Sequence, residues 1–420
     1  ANDQRFSAIA PDGAGGAIVA WQDGRSVLGV GFDIYAQRVS AAGTPQWAAN
    51  GVALCTAIRD QAVPALVADG AGGAVAVWQD QRSGAGTGTL DIYAQRVSSG
   101  GVPQWTANGV ALCTAAGDQS DPVVAPDGTG GAIAAWTDSR GSDSHVYAQR
   151  VSGGGAVPWA ADGVALCTAG SGQGWAAIAT DGAGGAIVAW TDVRGLTLRD
   201  IYAQRVSSAG AVQWTADGVA LCTAADDQAF PTIAPDGSSG AVVTWLDFRV
   251  GQDVYAQRVS STGKTQWGGN GVGVCTEGSN QTWPVIATDD EGGAIIAWPD
   301  ARSGVSDVYA QRVLADGHLG GGAVDVPVEV PAALALEPSR PNPVRAGHLV
   351  VRFSLRDAAE ARLELLDVAG RCLAVRQVGA LGAGPHAVAI ADGLRLPPGV
   401  YLVRLRQGAE ARVTRVVALR

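Results

Sequence analysis

The sequence predicts an all-β chain, a six-bladed β-propeller followed by a small β-sandwich, and three observations carry that expectation. The first is repetition. The stretch Asp33-Ile34-Tyr35-Ala36-Gln37-Arg38-Val39 returns five more times nearly unchanged, with its tyrosine at 35, 93, 147, 202, 255 and 309. Steps of 53 to 58 residues between copies suit one four-stranded blade per repeat. The second is the plan of each repeat, four short apolar segments separated by turn residues. The third is a change of character near residue 330. The repeats stop, prolines cluster, and the charge balance reverses from 16 basic and 32 acidic side chains over 1–330 to 13 and 7 over 331–420.

The second repeat shows the elements in order. A first strand from Gln61 runs into the Asp69-Gly70 turn, a second leads from Gly73 to Trp78-Gln79-Asp80, a third covers Asp91 to Val97, and a fourth ends at Cys113-Thr114. Asp-Gly followed closely by Gly-Gly is a tight hairpin signal. Second and third strands such as Ala17-Ile18-Val19-Ala20-Trp21 are apolar on both faces, so each sheet needs a neighbour on both sides. The first three strands occur six times. The Gln-Trp pair that introduces the fourth occurs after blades 1, 2, 4 and 5, with Pro158-Trp159 after blade 3. A degenerate sixth copy is expected over 322–326. The ring then closes without exchanging strands between its ends, and its weakest seam lies between blades 1 and 6. The propeller is expected over 1–326, an extended proline-bearing linker over 327–337, and the second domain over 338–420. Its strands are read at 349–355, 361–366, 372–377, 386–390, 400–405 and 412–419, alternating as in a sandwich with one solvated face.

Composition excludes several classes of function. A net charge of -10, concentrated in the repeats, argues against nucleic acid as a ligand. No apolar run approaches the roughly 20 residues of a membrane-spanning helix. The chain opens Ala1-Asn2-Asp3 without methionine, which is read as the product of signal-peptide removal. Cys55, Cys113, Cys167, Cys222 and Cys275 occupy one repeat-equivalent place. Equivalent atoms on neighbouring blades are expected beyond the ~7 Å Cα limit for a disulfide, so these are read as buried free thiols. The four histidines are scattered and no Cys-x-x-Cys occurs, so neither a metal nor a cofactor is expected.

Two recurring motifs are read as structural. Trp-x-Asp-x-Arg places Asp23, Asp80, Asp138, Asp192, Asp247 and Asp300 at one position, and six equivalent copies cannot all be one active site. Each is expected to bond either to the arginine two residues on or to the heptapeptide arginine, namely Arg38, Arg96, Arg150, Arg205, Arg258 or Arg312. Asp12-Gly13-Ala14-Gly15-Gly16 has neither the following helix of a phosphate cradle nor enough carboxylates for calcium, and reads as a hairpin turn. Function is assigned instead to the loop between second and third strands, three to eight residues long, on the face it shares with the blade-to-blade connections. Candidate binding residues there are Ser26, Phe32, Asp33, Ser83, Thr87, Leu90, Asp91, His145 and Arg199, with Trp175 and Trp283 as stacking platforms.

Pro341-Asn342-Pro343, Asp367-Val368-Ala369-Gly370-Arg371, Pro398-Gly399-Val400-Tyr401 and the closing Arg415 to Arg420 make the tail resemble the C-terminal sorting domain of type IX secretion cargo, related to the immunoglobulin-like domain of flagellar hook-capping proteins. The resemblance implies an immunoglobulin-like sandwich, the outer-membrane secretion machinery as a partner, and an extracellular or outer-surface location. The repeats resemble uncharacterised propellers that precede such tails. The leading expectation is a non-catalytic recognition or adhesion scaffold that binds glycan or protein through its variable loops. One alternative is a homo-oligomer building a surface layer or fibre, the basic tail of one copy on the acidic propeller of another. The other is a carbohydrate-active enzyme, for which no nucleophile elbow, histidine base or cofactor fingerprint appears.

Overall fold

The computed structural model describes residues 3–25, 31–83, 89–170, 172–194, 198–320, 334–336, 344–345, 349–390 and 396–419. They belong to two compact units, Ala1–Asp325 and Val326–Arg420.

The first unit is the six-bladed β-propeller, six four-stranded antiparallel sheets each in chain order. The first sheet comprises Gln4–Pro11, Ala17–Asp23, Asp33–Val39 and Val52–Cys55. The first hairpin of each blade is fixed by its aspartate. Asp12 Oδ1 accepts from Ala14 N at 2.8 Å and from Gly16 N at 2.7 Å. A Cβ on Gly16 would lie 2.2 Å from Val39 O, so only glycine lets the turn sit this close to the third strand.

Apolar second and third strands find their partners between blades. Ile18, Ala20, Ile34, Ala36, Leu54 and Cys55 of the first sheet pack against Ala74, Ala76, Trp78 and Val97 of the second, and the pattern repeats up to the fifth and sixth sheets. Trp78, Trp136, Trp190 and Trp245 are fully buried. At ~25 cal/mol per Å² and roughly 200 Å² each, every one contributes about 5 kcal/mol of transfer free energy. Among the described residues no such core joins the sixth sheet to the first.

Ion pairing decides between the two partners expected for these aspartates. Asp23 and its equivalents pair with the arginine two residues on, as in Asp80–Arg82 at 2.6 Å, and not with the heptapeptide arginines. The strand register explains this. Asp23 lies opposite Asp33, whereas Arg38 lies opposite Ile18, five residues or roughly 17 Å along the strand. Arg38 instead bonds the hairpin aspartate, Nε to Asp12 Oδ2 at 2.9 Å, as Arg96 does to Asp69, Arg150 to Asp127, Arg205 to Asp181, Arg258 to Asp236 and Arg312 to Asp289.

The sixth sheet ends in Leu319–Gly320, which pairs with Arg312 and Val313. That register is held in the first sheet by the Val39–Pro45 bridge, so this strand is the step before a fourth strand. The strand expected over 322–326 lies outside the described residues. So does most of the linker expected over 327–337, although its Ala335–Leu336 pairs with Ser354 and Phe353 in the second unit.

The second unit has a three-stranded and a five-stranded sheet about one core. Leu349, Val351, Phe353 and Leu355 meet Leu363, Leu365, Val403, Leu405 and Val416 there. Strands Val350–Leu355, Ala361–Asp367, Cys372–Gln377, Gly384–Ala389, Gly399–Gln407 and Glu410–Leu419 fall where alternation places them. No helix among the described residues is long and apolar enough to cross a membrane.

Candidate functional site

The site is built by an irregularity that every blade shares. Each blade begins with a glutamine that lies opposite the Trp-x-Asp-x-Arg aspartate, as Gln61 does Asp80 and Gln173 does Asp192. Just beyond it the register of the first strand shifts, between Arg5 and Ala8, Ala62 and Ala65, Gly174 and Ala177, and Ala229 and Thr232. The residue two after the glutamine takes a left-handed backbone in all six repeats: Phe6 (φ 47°), Val63 (49°), Asp121 (53°), Trp175 (48°), Phe230 (57°) and Trp283 (43°). Non-glycine residues there cost of order 1–3 kcal/mol each, most for a β-branched one such as Val63. Proline follows at Pro64, Pro122, Pro231 and Pro284, so the bulge leaves no backbone N–H unpaired at that step.

All of these bulged side chains but Phe6 converge. Trp175 and Phe230 lie 4.9 Å apart between ring centroids, tilted by 56°, and Phe230 and Trp283 lie 5.2 Å apart, tilted by 52°. Trp175 is 47% and Trp283 65% exposed. Val63, Asp121 and the three aromatic residues line a cavity of about 470 Å³. A second, of about 340 Å³, shares Asp121 and Trp175 and reaches Ser144, Thr191 and Arg199. Arg199 sits 5.4 Å from the Trp175 ring centre, held by Asp227, whose Oδ1 accepts from Arg199 N at 2.9 Å and whose Oδ2 accepts from Nη1 at 3.0 Å. Tilted aromatic faces beside a carboxylate, a guanidinium and hydroxyls suit a ligand with apolar faces and a hydroxylated edge.

Of the candidates read from the sequence, the structure brings together Trp175, Trp283 and Arg199. His145 is half-buried, its Nδ1 2.7 Å from Gln173 Oε1, one step from the second cavity. Phe32 and Leu90 are half-buried and anchored through their backbone N–H to Asp60 and Asp118. Ser83 is exposed and lines neither cavity. Ser26 and Thr87 lie outside the described residues. Asp33 and Asp91 are buried at 2% exposure, so they do not present a binding face. Sequence reading missed Phe230, Asp121, Val63 and Phe6. The signal was available: in otherwise uniform repeats, the position two after the glutamine reads Phe, Val, Asp, Trp, Phe, Trp.

The buried aspartates form cross-strand pairs, Asp23 with Asp33 and Asp80 with Asp91. Burial pushes Asp23 up, but bonds from Arg25 and Trp21 outweigh it and leave the carboxyl at about 2. Burial and then the neighbouring Asp23 charge raise Asp33 to about 6, and burial with Asp80 does the same to Asp91. The arginine between stacks on the heptapeptide tyrosine, Arg82 on Tyr93 at 3.8 Å, and its Nη2 lies 3.0 Å from Cys55 Sγ of the preceding blade. Cys55, Cys113 and Cys167 are buried, and burial first of all pushes their thiols up to about 12, which leaves them unreactive.

No family model matches the chain, and no curated protein does. Among solved structures it is similar to a protein of unknown function from Dyadobacter fermentans, at 10% identity over 74% of this chain and 94% of that one, with a TM-score of 0.42. It is also similar to a six-bladed fucose-recognising lectin of Aleuria aurantia (12% identity, 76% and 94% covered, TM-score 0.38) and to a family 25 polysaccharide lyase acting on ulvan (13%, 99% and 94%, TM-score 0.39). Likenesses this distant carry no argument about what this chain does.

Proposed function

We propose that the propeller is a glycan-recognition module, with the sugar held against Trp175, Phe230 and Trp283. The observation that carries this reading is the trio Trp175, Phe230 and Trp283, two of them exposed and all three held on strained, left-handed backbone near the start of three neighbouring first strands. A fold keeps such strain where it serves a site. Asp121 and Arg199 supply the polar edge. A hydrolase of the two-carboxylate type needs a second acid roughly 5–10 Å from the first. Among the described residues lining the two cavities Asp121 is the sole carboxylate, which favours recognition over cleavage.

The test is a screen of the whole chain against a panel of polysaccharides and oligosaccharides, followed by titration of the best ligand with Trp175→Ala and Trp283→Ala. Losing one platform that buries roughly 100 Å² removes about 2.5 kcal/mol, close to 60-fold in affinity, with an unchanged melting temperature because both rings are exposed. Binding indifferent to both substitutions would refute the site, and release of reducing sugar or unsaturated product would replace recognition by catalysis.

The tail motifs support a companion reading, an immunoglobulin-like sorting domain that delivers the module to the outer cell surface through the type IX machinery. Removal of 338–420 in a host with that machinery then leaves the propeller in the periplasm. Unchanged surface display would overturn this.

A further inference from the structure

The five formed inter-blade interfaces define two complementary halves. Each sheet turns one face towards its successor, such as Ile18, Ala20, Ile34 and Ala36, and the successor turns back a face such as Ala74, Ala76, Trp78 and Val97. Polar links at the rim run from the earlier blade to the later. Trp47 Nε1 and Arg38 Nη1 both donate to Ser99 O, at 2.9 and 3.3 Å, and Thr56 N donates to Asn108 Oδ1 at 2.9 Å. The Trp47 ring covers Gly101, where a Cβ would sit 2.7 Å from it. The same scheme ends with Arg258 and Trp267, both 3.1 Å from Ala315 O.

At the ends of the array no described residue of another sheet packs on either half. On the sixth sheet Ile295 is 46% and Val308 63% exposed, whereas their counterparts in the other five sheets, Ile18 and Ile34 in the first, are fully buried. On the first sheet Ile9 is 69% exposed. Trp21 alone among the six tryptophans of its position is not buried. Ala41 O and Asn50 Oδ1, the counterparts of Ser99 O and Asn108 Oδ1, accept from no described residue. Gly43, the counterpart of Gly101, has open space above it. Arg312, the counterpart of Arg38, turns to Glu291 on its own sheet.

We propose that the sixth blade of one copy docks on the first blade of a second copy and continues the blade array across the chain boundary. What covers such faces is shown five times within the chain, and a second copy carries both halves. Such a head-to-tail contact leaves one free half at each end of a dimer, so further copies add to it. It is weaker than the internal seams, since no tryptophan follows Trp298 in the sequence and the Gly43 seat stays unfilled.

The experiment is sedimentation velocity on the full chain over a wide concentration range, with Ile9→Glu and Ile295→Glu as variants that keep the fold because both side chains are already exposed. The expected result is a mass that rises with concentration past the dimer. Each variant alone is then monomeric, whereas an equimolar mixture of the two stops at a one-to-one dimer joined by the two intact faces. A wild-type chain that is monomeric at every concentration overturns the proposal. If both variants then also melt earlier, blades 1 and 6 have closed on each other within one chain. Variants that associate as the wild type does overturn it as well, since the contact then lies elsewhere.

Discussion

Replacing Asp33 and Asp91 together by asparagine is expected to flatten the pH dependence of stability between about pH 4 and pH 7. Each residue faces another aspartate across a strand pair, and its Oδ2 is buried without a partner among the described residues. Each is raised to about 6 from an ordinary 3.8. The native state therefore keeps a proton in this window that the unfolded chain has lost. Stability is fully present below about pH 4, falls as pH rises through the folded-state value, and levels off above it. Two pKa units at ~1.36 kcal/mol each give a ceiling of roughly 3 kcal/mol per site, and solvent screening at a strand end reduces this to about 1–1.5 kcal/mol. The wild type should thus lose about 2–3 kcal/mol across the window on account of this pair of residues, read from guanidinium unfolding at several pH values. Asparagine does not titrate, so the slope is the readout, whatever the amides do to absolute stability. Asp23 acts with the opposite sign: held at about 2, it contributes stability above pH 4 that is lost on acidification towards 2. A double variant with the wild-type slope would refute the assignment of raised pKa values to these side chains.

Asp80→Ala should cost roughly 3–5 kcal/mol by denaturant unfolding, because Asp80 accepts from Arg82 Nε at 2.9 Å and from Trp78 Nε1 at 2.8 Å within a buried inter-blade contact. Gly131→Ala should lower the melting temperature far more than Ser142→Ala, since its Cβ would meet Val151 O at 2.2 Å, whereas Ser142 lies on an exposed loop; equal effects would remove the close-approach argument. An aromatic disulfide reagent should label one thiol in the native chain, the exposed Cys372, and all six after unfolding. Rapid labelling of a second thiol would show that an inter-blade core opens readily.

Local pattern carried most of the fold because each decisive interaction is repeated. Asp12, Gly13 and Gly16 form the hairpin through bonds within five residues, and the apolar content of Ala17–Asp23 already requires cover on both faces. Pairing between strands was less legible. Asp23 has two arginines within reach by composition, and only the register, which sets Arg38 opposite Ile18, assigns it to Arg25.

By itself, then, the sequence determined that this chain is a six-fold array of four-stranded sheets followed by a smaller sandwich, since hairpin chemistry and apolar periodicity act over a few residues. The tertiary structure alone decided where Phe6, Val63, Asp121, Trp175, Phe230 and Trp283 stand. Their left-handed bulges come from a register shift between two strands, and the convergence of all but Phe6 comes from different blades meeting at one cavity. It also decided that the first and last blades bear apolar faces like those buried at every internal seam. A repeat unit is the same wherever it stands in the chain, but whether its two faces are covered depends on the neighbours that folding supplies.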